Sequence, residues 1–357
     1  MRISGLLAIA ACTPVQPEPV PAPAPVVAPA VVAVAEPTPA PRVPAMWMPL
    51  ELDCPKGQEH CAQALAVDMV TGVVQPLDPQ PLMAGPIRAD DELVVWESHV
   101  SGAAIFARNR RGEPVALQWP GGRVRTLELD ARSVWVVDEE GLLRLPRDGG
   151  PAERLVVDAN LYGVAPGEPH AYITAGQTVL RDAGGSLRTI PGKPGAVAVA
   201  AGTLLWAEFG GDDHVPALGS VRAWRPGEAA PRVLATQEVA PRVLAADATH
   251  VYWVSDQPEG RALRRVAQAG GEVQELGRSL GVYGVRGNND RLDLAGGFAY
   301  WNTGHAVVRV PVAGGSLEVV AHARQPGDIV DFDVQGERLY LALGLYDPTP
   351  DRRLRPR

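Results

Sequence analysis

Residues 249–276 read THVYWVSDQPEGRALRRVAQAGGEVQEL and form the most regular stretch of the chain. The run VYWV at 251–254 is β-branched and aromatic, the composition of a strand buried on both faces. A polar turn, DQPEG, follows, and ALRRV at 262–266 reads as a second strand. Gly270 and Gly271 supply a tight turn, after which EVQEL at 272–276 returns as a third. One short segment thus predicts three antiparallel strands.

The same pattern recurs on both sides. Its aromatic strand returns as LVVW ending at Trp96, SVWVV around Trp135, HAYI around Tyr172, LLWA around Trp206, AYWN around Trp301 and RLYLA around Tyr340. The intervals are 39, 37, 34, 47, 48 and 39 residues. Self-similarity at this period marks a propeller, solenoid or array. The outer hairpin recurs as well: Arg144 leads to Gly149-Gly150, Arg265 to Gly270-Gly271, and Arg309 to Gly314-Gly315. Arg222 leads to Gly227 in the same way. Short apolar runs such as LELD, AVAV and DFDV precede the aromatic strands, which makes four strands per unit.

Two pieces are left over. The hairpin QALAVDMVTGVVQPL at 63–77 has no aromatic strand of its own, and the strand around Tyr340 has no hairpin after it. Pairing them closes a ring and removes the open sheet edge. The expectation is an all-β, seven-bladed β-propeller over residues 46–345 in which the N-terminal hairpin closes the C-terminal blade. Six and eight blades are the neighbouring counts. The pairs Tyr252-Trp253 and Tyr300-Trp301 make the pattern similar to propellers of the YWTD and NHL types, and to propeller lipoproteins of bacteria. The repeated aromatics are read as core. The repeated arginines are read as solvated or as pairs between blades.

The N-terminus reads as an address. Arg2 precedes an apolar run that ends in Ile9-Ala10-Ala11-Cys12, which resembles a bacterial lipoprotein signal spanning residues 1–11. That resemblance implies lipid on Cys12 and a membrane anchor without a spanning helix. Residues 12–45 are Pro/Ala-rich, with eleven prolines among the 33 residues after Cys12. Proline removes backbone donors and fixes φ, so this segment is a polyproline-like tether, of order 100 Å if extended. Residues 346–357 form a polar, basic tail. Cys54 and Cys61, in CPKGQEHC, read as a small disulfide loop in an oxidising compartment. A Cys-His metal site using His60 is the sharper alternative.

A net charge of -8 over 357 residues excludes a general nucleic-acid binder, which needs clustered positive charge. No phosphate loop, zinc helix, nucleophile elbow or dinucleotide fingerprint is present in the sequence. Function on a propeller usually lies in loops at one face. The loops after the aromatic strands carry His99, Asp212, Asp213, His214, Asp256 and His305 as ligand-binding candidates. Asp212, Asp213 and His214, in GGDDHVPALG, have donors for a divalent cation. Asn288, Asn289 and Asp290 either bind calcium or form Asx turns. No cofactor is otherwise expected.

The sequence therefore predicts a lipid-anchored, exported propeller at a bacterial cell envelope, acting as a binding or scaffold protein. Its expected partner is an envelope protein or an extracellular ligand. The alternative is a propeller enzyme, a lyase, lactonase or glycan-active protein, with its site at the channel mouth.

Overall fold

The computed structural model describes residues 48–50, 60–78, 84–98, 104–161, 163–166, 170–174, 177–181, 187–191, 194–208, 218–225, 227–257, 260–279, 291–324 and 327–346. Every regular element among them is a strand. Three strands come from the N-terminal part, β1 (Met48–Leu50), β2 (His60–Asp68) and β3 (Val74–Pro76). Sheet I holds β4 (Ala84–Ala89), β5 (Leu93–Ser98) and β6 (Ala104–Asn109). Sheet II holds β7 (Thr126–Leu129), β8 (Ser133–Val137), β9 (Gly141–Pro146) and β10 (Glu153–Val157). Sheet III is β11 (Gly163–Ala165), β12 (His170–Thr174), β13 (Gln177–Arg181) and β14 (Leu187–Pro191).

Sheet IV comprises β15 (Pro194–Ala200), β16 (Thr203–Glu208), β17 (Leu218–Trp224) and β18 (Arg232–Val239). Sheet V comprises β19 (Pro241–Ala246), β20 (His250–Gln257), β21 (Gly260–Ala267) and β22 (Gln274–Ser279). Sheet VI has β23 (Leu292–Ala295), β24 (Phe298–Asn302), β25 (Ala306–Pro311) and β26 (Glu318–Ala323), with β1 added outside β26. Sheet VII has β27 (Gly327–Gln335) and β28 (Arg338–Tyr346), followed by β2 and β3.

The innermost strands touch in chain order, β4 to β7, β11, β15, β19, β23 and β27, and β27 touches β4. Such a ring of twisted antiparallel sheets is a β-propeller. The N-terminal hairpin joins the C-terminal strands: β2 pairs with β28 from His60↔Tyr346 to Asp68↔Arg338. The register is unbroken over nine residues. His60 and Cys61 therefore open a strand and do not stay in the expected loop. Cys61 is buried and disulfide-bonded. Cys54 lies outside the described residues, as do Cys12, the tether and residues 347–357 of the basic tail, whose expected first residue, Tyr346, instead ends β28.

The repeated aromatics pack between sheets. Trp253 of sheet V lies against Leu205 and Val221 of sheet IV. Trp301 of sheet VI lies against Tyr252 and Leu263 of sheet V. Trp96 meets Ala64 and Ala342 of sheet VII, so the same contact continues across the closure. Four of the indole nitrogens donate to acids, Trp96 to Asp78 at 2.7 Å, Trp135 to Asp130 at 2.6 Å, Trp206 to Glu208 at 3.0 Å and Trp253 to Glu238 at 2.9 Å, while Trp301 donates to the Ser279 hydroxyl at 3.4 Å. A buried indole N–H without a partner would lose the hydrogen bond it makes in water. Tyr172 lies in a stretch whose side chains are outside the description.

The outer hairpins depart from regularity in useful ways. Gly270 and Gly271 adopt φ of 92° and 135°, a region that non-glycine residues avoid, and β22 starts only at Gln274. Among the described residues sheet I has three strands. An isolated bridge, Arg108↔Pro114, takes the place of a fourth. The repeated arginines divide: Arg144 pairs with Glu153 and Arg309 with Glu318 inside their own sheets, whereas Arg265 of sheet V reaches the Val312 carbonyl of sheet VI. Arg309 is buried, 4.3 Å from the centre of the Phe298 ring, so it is not a solvated residue.

Candidate functional site

The most concentrated charge among the described residues sits where the innermost strands converge. Arg88 comes from β4 and Glu128 from β7; Asp293 lies on β23 with Arg291 just before it, and Asp331 and Asp333 lie on β27. The two aspartates of β27 are two residues apart, which puts them on one face of that strand. Both accept from the neighbouring inner strand: Asp331 from the Ile87 N–H at 3.1 Å and Asp333 from the Ala89 N–H at 3.0 Å. Asp293 does the same one sheet back, accepting from the Val334 N–H at 3.0 Å. Carboxylates thus satisfy backbone donors that the inner edges of the sheets would leave unpaired.

The guanidiniums complete the network. Arg88 contacts Asp331 at 2.5 Å and Glu128 at 2.9 Å. Arg291 contacts Asp293 at 2.9 Å, Glu128 at 3.0 Å and Asp333 at 3.4 Å. The Arg291–Glu128 pair spans sheets that are not neighbours in the ring, since sheets VII and I lie between VI and II. It is therefore a contact across the centre. Asp331 is 2% exposed at its side chain, while Arg291 and Glu128 keep 18% and 21%.

Burial works against charge on Arg88 and Arg291, but the flanking carboxylates outweigh it and hold both above the ordinary guanidinium range. Glu128 is also opposed by burial, and its two arginines pull it below the usual carboxylate value. Asp331 goes the other way: burial raises it despite the same arginines. Asp333 is pushed furthest up, first by burial and then by repulsion from Asp293. Within this cluster the arginines favour the charged form of Glu128, whereas burial and the neighbouring Asp293 favour the proton on Asp333.

Arg88, Glu128, Arg291 and Asp333 of this network line a cavity of about 500 Å³. Its wall includes Asp90, Asp130 and Arg147. Asp90 accepts from the Glu92 and Leu93 N–H groups and pairs with Arg147. Asp130 accepts from Arg132 and Ser133 while its other oxygen takes the Trp135 indole. The cavity therefore opens on the turns before the aromatic strands. The expectation had placed the functional loops at the other end, after those strands. Short Asx turns bring the inner-strand ends together here, and their brevity gave no insertion to notice. The described lining contains no His, Cys, Ser, Thr, Tyr or Lys, so its polar chemistry is that of carboxylates, guanidiniums and one amide, Gln335.

The residues singled out from sequence lie elsewhere. Asp256 pairs with Arg261 at 3.3 Å across a tight connection, since Gln257 and Gly260 are themselves partners in the ladder. His305 meets Asp328 at 2.7 Å beside sheet VII, and burial raises the Asp328 carboxyl. His99, Asp212, Asp213 and His214 lie outside the described residues, as do Asn288, Asn289 and Asp290. Among the described residues no group of three or more His, Cys, Asp or Glu is arranged to hold a metal ion.

No protein-family model matches the chain, and no curated protein matches it. Solved structures do. The WD40 domain of Neurospora crassa Pan2 aligns over 74% of this chain and 90% of its own, at TM-score 0.50 and 11% identity. The computationally designed Ika8 protein aligns over 79% of this chain and 90% of its own, at TM-score 0.53 and 11% identity. A nidogen/laminin complex aligns at TM-score 0.43 and 12% identity, over 73% of this chain. The likeness to the WD40 domain agrees with the strand topology in defining an all-β propeller. At these identities the likeness is one of fold.

Proposed function

We propose that the chain is a binding or scaffold propeller, exported to a bacterial cell envelope and held there by lipid on Cys12. In this reading the seven sheets are seven blades, residues 12–45 are the spacer between lipid and ring, and the partner is an envelope protein or an extracellular ligand. The observation that carries the binding reading is how the charged groups at the centre are used. Arg88, Arg291, Glu128, Asp293, Asp331 and Asp333 are spent on one another and on the inner-strand backbone. A catalytic group needs a free valence within reach of substrate. Groups engaged in this way fasten a ring, which leaves the loops and the rim for a partner.

Fractionation of cells making the full chain tests the anchor. The wild type should sediment with membranes and Cys12→Ser should not. A soluble wild type would overturn the anchored reading. Photo-crosslinking from Asp256 and from His305 in the same cells tests for a partner. A discrete adduct supports binding, whereas turnover of a lactone or glycan by the purified chain, without any adduct, would replace it with the enzyme reading.

A further inference from the structure

We propose that the strand β1 is a detachable latch: a fifth strand that fastens sheet VI to the closing sheet VII from outside the ring. Three observations meet here. First, β1 pairs in parallel with β26, through Met48↔Ala321, Pro49↔His322 and Leu50↔Ala323, and the Arg324 N–H donates to the Leu50 carbonyl at 3.0 Å. Second, Leu50 is buried, and its core cluster contains Val307, Val320, Ala321 and Ala323 of sheet VI beside Leu65, Met69, Phe332 and Leu341 of sheet VII. One side chain of the arm therefore sits in the joint between the two sheets. Third, β1 and β2 stand close in sequence, and β2 is the strand that closes the ring on β28. The arm holds sheet VI with β1 and sheet VII with β2, so it bridges that joint twice over.

The latch is built to end the sheet and to be released. The Leu50 carbonyl points at β26, so the backbone groups of Pro49, one residue away, point to the free edge. Proline has no N–H to offer there, which stops a further strand from adding. Pro49 is also exposed. Among the described residues three pair here, against nine in β2–β28, so β1 can leave while β2 stays paired. A pull on the N-terminal segment, or a competing extended strand on β26, would reach the propeller through β1 first. This holds whether or not Cys12 carries lipid.

Hydrogen–deuterium exchange on the full chain tests the latch. Leu50→Asp should raise exchange on the order of tenfold along β26 and at the edge of sheet VII that faces it, with sheets II to IV unchanged. A synthetic peptide of residues 46–52 added to this variant should slow exchange along β26 again. Unchanged exchange at β26 would overturn the proposal, because β1 would then protect nothing. An equal rise in every sheet would also overturn it, because Leu50 would then be one core residue of a single cooperative unit. If Leu50→Asp does not accumulate in folded form, Leu50→Ala gives the same pattern at smaller amplitude.

Discussion

Two sets of buried and half-buried acids in this molecule do different work. The first set, Asp78, Asp130, Glu208 and Glu238, receives the indole N–H of Trp96, Trp135, Trp206 and Trp253. Each of these acids serves one repeated tryptophan: Asp130 and Glu208 lie in the same sheet as theirs, whereas Asp78 follows β3 of sheet VII and Glu238 lies on β18 of sheet IV, each one sheet back from its tryptophan. The second set, Glu128, Asp293, Asp331 and Asp333, reaches from one sheet to another and gathers from sheets II, VI and VII around Arg88 of sheet I and Arg291. It is not repeated. Around most of the ring the sheets join by packing of aromatic and aliphatic side chains, but where the first and last strands meet, a charge network is added. Regular parts of a propeller therefore build the blades, and the irregular polar part secures the seam.

The largest effect that can break this comparison comes from removing one guanidinium. Arg88→Leu leaves Asp331 buried without its cation, and breaking a buried pair on one side costs about 3–5 kcal/mol. Chemical denaturation of the variant should show that loss in its midpoint. Replacing Arg88 and Asp331 together by Leu and Asn should recover much of it, because no charge is then stranded. If Arg88→Leu alone is neutral, the network does not fasten the seam. A smaller effect is expected from the repeated set. Glu238→Ala removes the acceptor of Trp253 and Ser255 and the partner of Arg264, a loss of roughly 1–3 kcal/mol for the buried donors left unpaired. Trp253 fluorescence should report it without a change in the far-UV spectrum.

How much of this was legible depended on whether it repeats. The aromatic strands, the glycine turns and the pairing of the two leftover pieces all follow from period and composition, and β2 does meet β28. The packing role of Trp96, Trp206, Trp253 and Trp301 was legible for the same reason. The charge network was written in plain view but only once. DFDV was readable as an inner strand, and its two aspartates, two apart on a strand that must face other strands, were the signal of a polar lining. Glu128 in LELD offered the same clue. Arg291 offered none: it follows the polar segment at 286–290, and only the closing of the ring brings it opposite Glu128. The strand β1 was invisible for another reason. Three residues ending in Pro-Leu carry no period, and their partner lies over 270 positions away at Ala321–Ala323.

The smaller predictions concern charge itself. Asp333 favours its proton in the folded chain, so folding binds that proton more tightly than the unfolded chain does. Its ionisation therefore lowers stability as pH rises, from about pH 4, the unfolded carboxylate value, up through the folded one. Glu128 runs the opposite way, with stability present above the unfolded value and lost as pH falls through the folded one. Asp333→Asn keeps an oxygen to accept from Ala89 and places an N–H towards Asp293. It should hold or raise stability at neutral pH, by up to about 1 kcal/mol, and flatten the dependence above pH 4. A loss of stability on this change would mean that Asp333 is charged and is needed so. The smallest effect is expected in the outer strands of a sheet, at Arg144→Ala on β9. Its pair with Glu153 repeats the Arg309–Glu318 geometry, but both side chains are about half exposed, so water screens the attraction and the change should cost less than about 1 kcal/mol. A denaturation midpoint that moves as far for Arg144→Ala as for Arg88→Leu would show that position in the ring, inner seam or outer rim, does not decide what an ion pair contributes here.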